Sequence, residues 1–120
     1  MDKYQVLHKF WSSFKLKAYD ETSVPNEAQL PYITFESGID DFNNVMGLTA
    51  SLWYRSTSWA EVTEKCKEIE NFIGRGGTLI QYDEGAMWIA KANPWAQHMT
   101  DSNDDMIRRI VLNTQVEFLS

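Results

Sequence analysis

The apolar positions at the start of the chain repeat every three or four residues, which is the spacing of one face of an α-helix. They are Tyr4, Leu7, Trp11 and Phe14. Asp2 and Gln5 stand where a capping-box pair satisfies the first free backbone N–H groups of such a helix. The pattern therefore predicts an amphipathic helix over residues 2–15 that buries one face.

The next segments alternate between apolar and polar residues, the period of half-buried strands. Strands are predicted at "KLKAYDE" (15–21), "YITFESGI" (32–39) and "TASLWYRS" (49–56). The polar stretch 20–31 between the first two ends in Pro31 and predicts a loop. Residues 40–47 join the second and third strands in a hairpin-like connection.

At Ser58 the period returns to three and four residues. Ser58 and Glu61 form the S-x-x-E pattern of a capping box. The apolar stripe that follows consists of Trp59, Val62, Cys66, Ile69 and Ile73. "GRGG" at 74–77 stops the pattern, so a second helix is predicted between these two signals.

The last third of the chain has the alternating pattern again. "TLIQYD" and "MWIAK" flank Glu84 and Gly85 as a hairpin, and "IRRIVLNTQVEFL" is a final strand. One face of that strand is formed by Ile110, Leu112, Thr114, Val116 and Phe118, and the other by Arg109, Asn113, Gln115 and Glu117. The chain has no repeat or internal linker. The sequence predicts a single α+β domain over residues 1–120, with a mainly antiparallel sheet packed with two helices.

Composition narrows the classes of protein that the chain can be. Seventeen acidic and eleven basic residues give a net charge of -6, which disfavours binding to phosphate backbones. Cys66 is the single cysteine, so no intramolecular disulfide forms and no all-protein zinc cage is expected. Residues 1–10 have no signal-peptide pattern and no run of apolar residues is long enough to span a membrane. We expect a protein that stays where it is made.

The polar segment 96–109 is the first place to look for a metal site. Asp101, Asn103 and Asp105 have the spacing of calcium ligands, but Met106 stands where an EF-hand loop needs glycine and Leu112 where it needs glutamate. A zinc or manganese site built on His98 and Asp101 has no further ligand in sight. A solvated loop is the favoured interpretation.

Catalytic groups are also weakly supported. Cys66 lies on the apolar stripe of the second helix, and His8 has no acidic partner one helical turn away. "GRGG" follows a helix and precedes a strand, the reverse of a phosphate-binding loop. No serine stands in a G-x-S-x-G motif. We expect no catalytic residue, cofactor or metal, and keep a hydrolase or nuclease using His98 with the nearby aspartates as an alternative.

Tryptophan and arginine are the residue types most enriched at binding hot spots. Of the five tryptophans, Trp95 follows a proline in a predicted loop, where it is either a local anchor or an interface anchor. Arg108 and Arg109 are adjacent, so on a strand they point to opposite faces. Asp104 and Asp105 are near enough to pair with them. Trp95, Arg108 and Arg109 are the candidate interface residues.

Several segments together resemble the tail-terminator, or tail-completion, proteins of long-tailed bacteriophages and prophages, some of which are called minor capsid proteins. The resemblance covers nearly the whole chain and is clearest in "LPYITF", "SLWYRSTSW" and "DDMIRRI". It implies an α+β fold and a ring, usually a hexamer, at the head-proximal end of the tail tube. Such a ring ends tube polymerisation and joins the tail to the head connector.

The resemblance also implies partners and a location. The partners are other copies of the chain, the tail tube protein, the connector proteins and passing DNA that is not specifically bound, with no membrane. The protein is then made in the host cytoplasm and located in the virion. Acidic clusters at Asp40 and Asp41, or at Asp101, Asp104 and Asp105, are candidates to face the DNA channel. A head-completion stopper and a monomeric interaction adaptor are the alternatives.

Overall fold

The structure, a computed structural model, describes residues 1–120 and contains two helices and six strands in a body of 44 × 31 × 22 Å. The helices are α1 (Lys3–Ser12) and α2 (Ala60–Ile73). The strands are β1 (Lys17–Asp20), β2 (Tyr32–Phe35), β3 (Val45–Arg55), β4 (Thr78–Tyr82), β5 (Gly85–Met99) and β6 (Ile107–Leu119). The predicted α+β class with a mainly antiparallel sheet is confirmed.

The six strands form one sheet in the order β1-β2-β3-β6-β5-β4. All neighbouring strands are antiparallel except β1 and β2, which run in parallel. In this order β1 and β4 are the two edge strands, and the long strands β3, β5 and β6 lie between them. The residues 21–31 connect the parallel pair without a helix.

Both helices pack on the same face of this sheet, which we call the helix face. α1 contacts β1 and β2, and α2 contacts β3, β5 and β6. Because side chains alternate along a strand, cross-strand partners such as Ile33, Leu52 and Ile110 all point into this layer, and none exposes more than 2% of its surface. Phe10 and Phe14 contact Phe72, which joins the two helices. Neither helix is long and apolar enough to cross a membrane.

Helix α1 begins as its sequence predicts. The Asp2 carboxylate accepts a hydrogen bond from the Gln5 backbone N–H at 2.8 Å, and the Gln5 side chain accepts one from the Asp2 N–H at 2.9 Å, so the capping box is formed. The helix ends at Ser12, three residues before the predicted end. Lys15, at φ 66°, then turns the chain towards β1, while Phe14 remains buried.

Helix α2 has the predicted buried stripe but a different start. Val62, Cys66, Ile69 and Ile73 are buried, and Gly74 ends the helix at φ 77°. The predicted capping box of Ser58 and Glu61 is wrong. Trp59 occupies the N-cap position, and the Ser58 hydroxyl instead accepts a hydrogen bond from the Ala60 N–H at 3.0 Å. Ser58 therefore lies one residue too early to reach the third residue of the helix.

Candidate interaction surface on the open face of the sheet

Neither helix covers the second face of the sheet, which we call the open face. The register brings one row of its side chains together across four strands: Tyr32 in β2 lies opposite Trp53 in β3, Trp53 opposite Arg109 in β6, and Arg109 opposite Met99 in β5. Tyr19 of β1 extends this row to the edge of the sheet. The residues come from five strands, so only the complete sheet assembles them.

These side chains hold one another in place. The Tyr19 and Tyr32 rings meet edge to face with centroids 5.5 Å apart, and Tyr32 lies 6.5 Å from Trp53. The Trp53 Nε1 donates a hydrogen bond to the Thr34 hydroxyl at 2.8 Å. The Arg109 guanidinium lies 4.4 Å from the Trp53 ring centroid, a cation–π contact. We call Tyr19, Tyr32, Trp53 and Arg109 the aromatic row.

Arg109 is fixed by a second contact. Its Nε donates a hydrogen bond to the Ser51 hydroxyl at 3.2 Å, so the guanidinium has both a polar and an aromatic partner in the same chain. Ser51 and Thr34 are buried although they lie on the open face, because the large side chains of the row cover them. The row is therefore an ordered layer of half-buried tyrosine, tryptophan and arginine side chains that neither helix covers.

A small cavity lies at the Arg109 end of the row. It has a volume of about 220 Å³ and is lined by Trp53, Thr100, Asp101, Ser102, Ile107 and Arg109. Two candidate residues from different predictions, Asp101 and Arg109, thus meet at one place. The cavity therefore has a negative and a positive group beside an indole ring.

Arg108 points to the helix face, so the prediction that the two arginines separate is confirmed. Its guanidinium lies 5.5 Å from the Trp59 ring, and the His98 ring stacks on the same indole at 4.1 Å. An amino group of Arg108 donates a hydrogen bond to the Asp105 backbone carbonyl at 2.6 Å. Its Nε is buried without a partner. Arg108 and Arg109 therefore belong to different surroundings.

Trp95 is not in a loop, and that prediction is wrong. Strand β5 continues through Pro94 and Trp95 to Met99, with a register shift between Lys91 and Ala96. The Asn113 side chain ties this irregular part of β5 to β6, since its amide nitrogen donates to the Pro94 carbonyl at 3.0 Å. A proline is tolerated in a strand where the pairing is interrupted in this way.

The Trp95 ring is half-buried and packs against the core. Its Nε1 is buried and has no hydrogen bond of normal geometry. Burial raises the pKa of the Cys66 thiol and the Glu70 carboxylate raises it further, while the Trp95 indole acts in the opposite direction. Trp95 thus supports the packing between α2 and β5.

The three candidate channel acids lie in the loop from 100 to 106. Asp104 forms an ion pair with Arg55, and its carboxylate accepts a hydrogen bond from the Met106 N–H at 2.9 Å. Both contacts lower the pKa of this carboxyl, the Met106 hydrogen bond more than the hydrogen bond from Arg55. Asp101 accepts the Asn103 N–H at 2.8 Å. Asp105 is exposed. The suggested pairing of the loop acids with Arg108 or Arg109 is wrong for Asp104, since its partner is Arg55.

The second acidic pair lies at the other end of the sheet. Asp40 and Asp41 precede β3, whereas the 100–106 loop adjoins the end of β3, where the Ser56 N–H donates to the Met106 carbonyl. The Asp40 carbonyl accepts a hydrogen bond from the Lys3 amino group at 2.8 Å. The two acidic clusters therefore cannot face the same local surface.

The other residues considered for chemistry have structural partners. The His8 ring lies 3.2 Å from the Ala18 carbonyl, and Cys66 is buried in the core. No group of three or more His, Cys, Asp and Glu side chains is arranged to hold a metal ion.

Sequence reasoning missed the neighbours of Arg109. Trp53 and Tyr32 each alternate with buried residues, a signal that they point away from the core, but nothing local shows that β2, β3 and β6 are adjacent.

The comparisons with known proteins add no relative: no protein-family model, no curated protein and no solved structure matches this chain.

Proposed function

We propose that the chain is a structural protein of a long-tailed bacteriophage or prophage. In this proposal it forms a ring, hexameric by the resemblance, at the head-proximal end of the tail tube, where it ends tube polymerisation and joins the tail to the head connector. The observation that carries the proposal is the open face, a sheet surface with an ordered, half-buried row of Tyr19, Tyr32, Trp53 and Arg109 that neither helix covers.

The composition of the row supports a protein partner. The few residues that carry most of the binding energy of an interface are enriched in tyrosine, tryptophan and arginine. Trp53 and Arg109 are already held by Thr34 and Ser51, so binding costs them less side-chain entropy than it costs mobile groups. A subunit between two rings needs such a surface, because it contacts the tube and the connector as well as its own neighbours.

The charge supports a channel that DNA passes through without being held. The chain has a net charge of -6, and each phosphate neutralised by a lysine or arginine adds salt-dependent affinity. Arg109, the arginine of the aromatic row, is engaged by Trp53 and Ser51. Changing Asp101, Asp104 and Asp105 together to lysine tests whether these acids face the channel; unaltered particle assembly and DNA ejection would remove them from the proposal.

The first experiment is a mass measurement on the purified protein over a concentration series, with negative-stain imaging of large species and a binding assay on tail tubes isolated from the encoding phage. Rings, or protein that binds to the end of the tubes, support the proposal. Binding to purified head connectors but not to tubes would instead identify a head-completion stopper. A protein that stays monomeric and binds neither assembly contradicts the proposal and favours the adaptor alternative.

A further inference from the structure

The two edge strands of the sheet, β1 and β4, both have backbone groups that no neighbouring strand takes up. Free edges readily pair with another chain. We propose that β4 of one copy pairs in parallel with β1 of the next, so that the sheet continues from subunit to subunit. This inference rests on the proposed ring, and it names the surfaces by which the copies meet.

The hydrogen bonds of β1 show which of its groups are free. The Glu21 N–H donates to the Phe35 carbonyl at 3.0 Å, so the backbone groups of Glu21 point towards β2. Because the direction of the backbone groups alternates along a strand, those of Tyr19 also point towards β2. Ala18 and Asp20 direct theirs outwards, but the Asp20 carbonyl already accepts a hydrogen bond from the Ser23 N–H at 2.9 Å, so only its N–H is free. Ala18 lies opposite Ile33 in the register, so its side chain is on the helix face.

The free groups of β4 follow from its hairpin. The two-residue turn at Asp83 and Glu84 closes on Tyr82 and Gly85, which form a hydrogen-bonded pair in such a hairpin. Tyr82 and Ile80 therefore direct their backbone groups towards β5, and Leu79 and Gln81 direct theirs outwards. Leu79 lies on the open face, since its partner Trp88 lies opposite Glu117.

The directions of the strands decide how the two edges can meet. β1 runs with β2, and each further step across the sheet reverses the direction, so β1 and β4 run the same way. If β1 of a second copy pairs with β4 of the first and the helices of both copies lie on the same side of the joined sheet, the two copies have the same orientation. The two edges therefore meet in parallel.

The free groups fit this parallel arrangement. In a parallel pair, a residue whose backbone groups point towards the partner strand lies level with a residue whose backbone groups point away from it. Within this chain, the Phe35 groups point towards β1, and Phe35 lies level with Asp20, whose groups point away from β2. The Ala18 backbone groups point outwards and its side chain lies on the helix face. Ala18 can therefore lie level with Ile80 of the next copy, whose side chain is on the same face and whose backbone groups point towards β5. The Ala18 N–H and carbonyl then face Leu79 and Gln81.

Side chains favour one register. With Ala18 level with Ile80, two apolar side chains meet on the helix face, and on the open face the stem of Lys17 covers Leu79, which is 50% exposed in the single chain. In this register Asp20 lies level with Tyr82. A shift of two residues in one direction sets Asp20 against the aliphatic Ile80, and a shift in the other direction leaves Leu79 beyond the start of β1 and therefore uncovered.

The β1 edge is open enough to receive a strand. Grooves of about 730 Å³ and 470 Å³ border it, the first towards the 25–31 loop and the second towards His8 and Ser12 of α1. The Ala18 carbonyl already lies 3.2 Å from the His8 ring, but a carbonyl oxygen has two lone pairs and can accept a second hydrogen bond. A pairing of β4 with β1 uses two different surfaces, as a closed ring requires.

A proline at Gln81 tests the pairing. Its N–H points outwards, so Gln81→Pro removes a donor from the free edge and leaves the β4–β5 ladder intact. We expect the concentration for half-maximal assembly to rise about tenfold or more. Gln81→Ala keeps the N–H and is the matched control, with wild-type assembly expected. A folded Gln81→Pro protein that assembles like wild type overturns the edge pairing.

A cross-link tests the register. Lys17→Cys and Leu79→Cys in one chain place two thiols level with each other on the open face of adjacent copies, while Cys66 is buried. Mild oxidation should give a ladder of linked copies up to the ring size, and neither single variant should link. Rings without cross-links, or dimers from Leu79→Cys alone, overturn this inference and leave the ring itself standing. If no rings form at any concentration or on tail tubes, the proposed function fails as well.

Discussion

The two faces of one strand differ more than any two separate parts of this molecule. On the helix face of β6, Leu112 and Phe118 expose none of their surface, whereas Val111 and Asn113 on the open face are only half-buried. The same hydrogen-bonded ladder supports both. The helix face contributes most of the apolar burial that stabilises the fold, and neither helix covers the aromatic row on the open face.

The largest effect on stability is expected on the helix face. Leu112→Ala removes a fully buried side chain from the central strand, and we expect the free energy of unfolding to fall by about 2–5 kcal/mol. Val111→Ala, the neighbouring residue on the open face, should cost about 1 kcal/mol or less. Urea denaturation of the two variants measures both values. Equal losses would contradict the division between the faces.

A smaller effect is expected at Trp95, which packs against the core. Trp95→Ala should lower the free energy of unfolding by about 1–3 kcal/mol, because the ring is only partly buried. Trp95→Phe should cost less than about 1 kcal/mol, since the buried Nε1 that it removes has no hydrogen bond of normal geometry. If the phenylalanine variant is as unstable as the alanine variant, the contact between the indole and Cys66 is more important than packing.

The smallest effect is a change in pH dependence at Asp20, which ends β1. The Ser37 hydroxyl, then the hydroxyl and N–H of Thr22, lower the pKa of this carboxyl below its ordinary 3.8. A lowered folded-state pKa means that the carboxylate stabilises the fold above pH 3.8 and that this contribution disappears as the pH falls below it. The stability difference between wild type and Asp20→Asn should therefore shrink in acid. A constant difference would show that the hydrogen bonds do not depend on the charge.

The fold could be predicted from the sequence where one local pattern decides the outcome. The alternation from Ile110 to Phe118 places each residue of β6 on its correct face, and the spacing from Val62 to Ile73 gives the buried stripe of α2. The parallel pairing of β1 with β2 could not be predicted, because a short alternating strand has the same pattern in either direction.

The candidate site was harder to predict for the same reason. The contact between Trp53 and Arg109 joins residues on strands that are paired only in the complete sheet. Pro94 favours a loop at Trp95, but the register shift in β5 accommodates the proline within the strand. Residue type alone makes Arg109 an interface candidate, whereas its partner Trp53 lies on a strand that is distant in sequence.

The most direct test of the central claim, that the open face binds the virion partners, is the affinity of Trp53→Ala for isolated tail tubes. The variant loses the hydrogen bond to Thr34 and the contact with Arg109, so we expect a loss of about 1–2 kcal/mol in stability and at least about tenfold weaker binding. Tyr4→Ala, an exposed aromatic residue of α1, is the control and should bind normally. A folded Trp53→Ala protein with wild-type affinity for the tubes would contradict the claim.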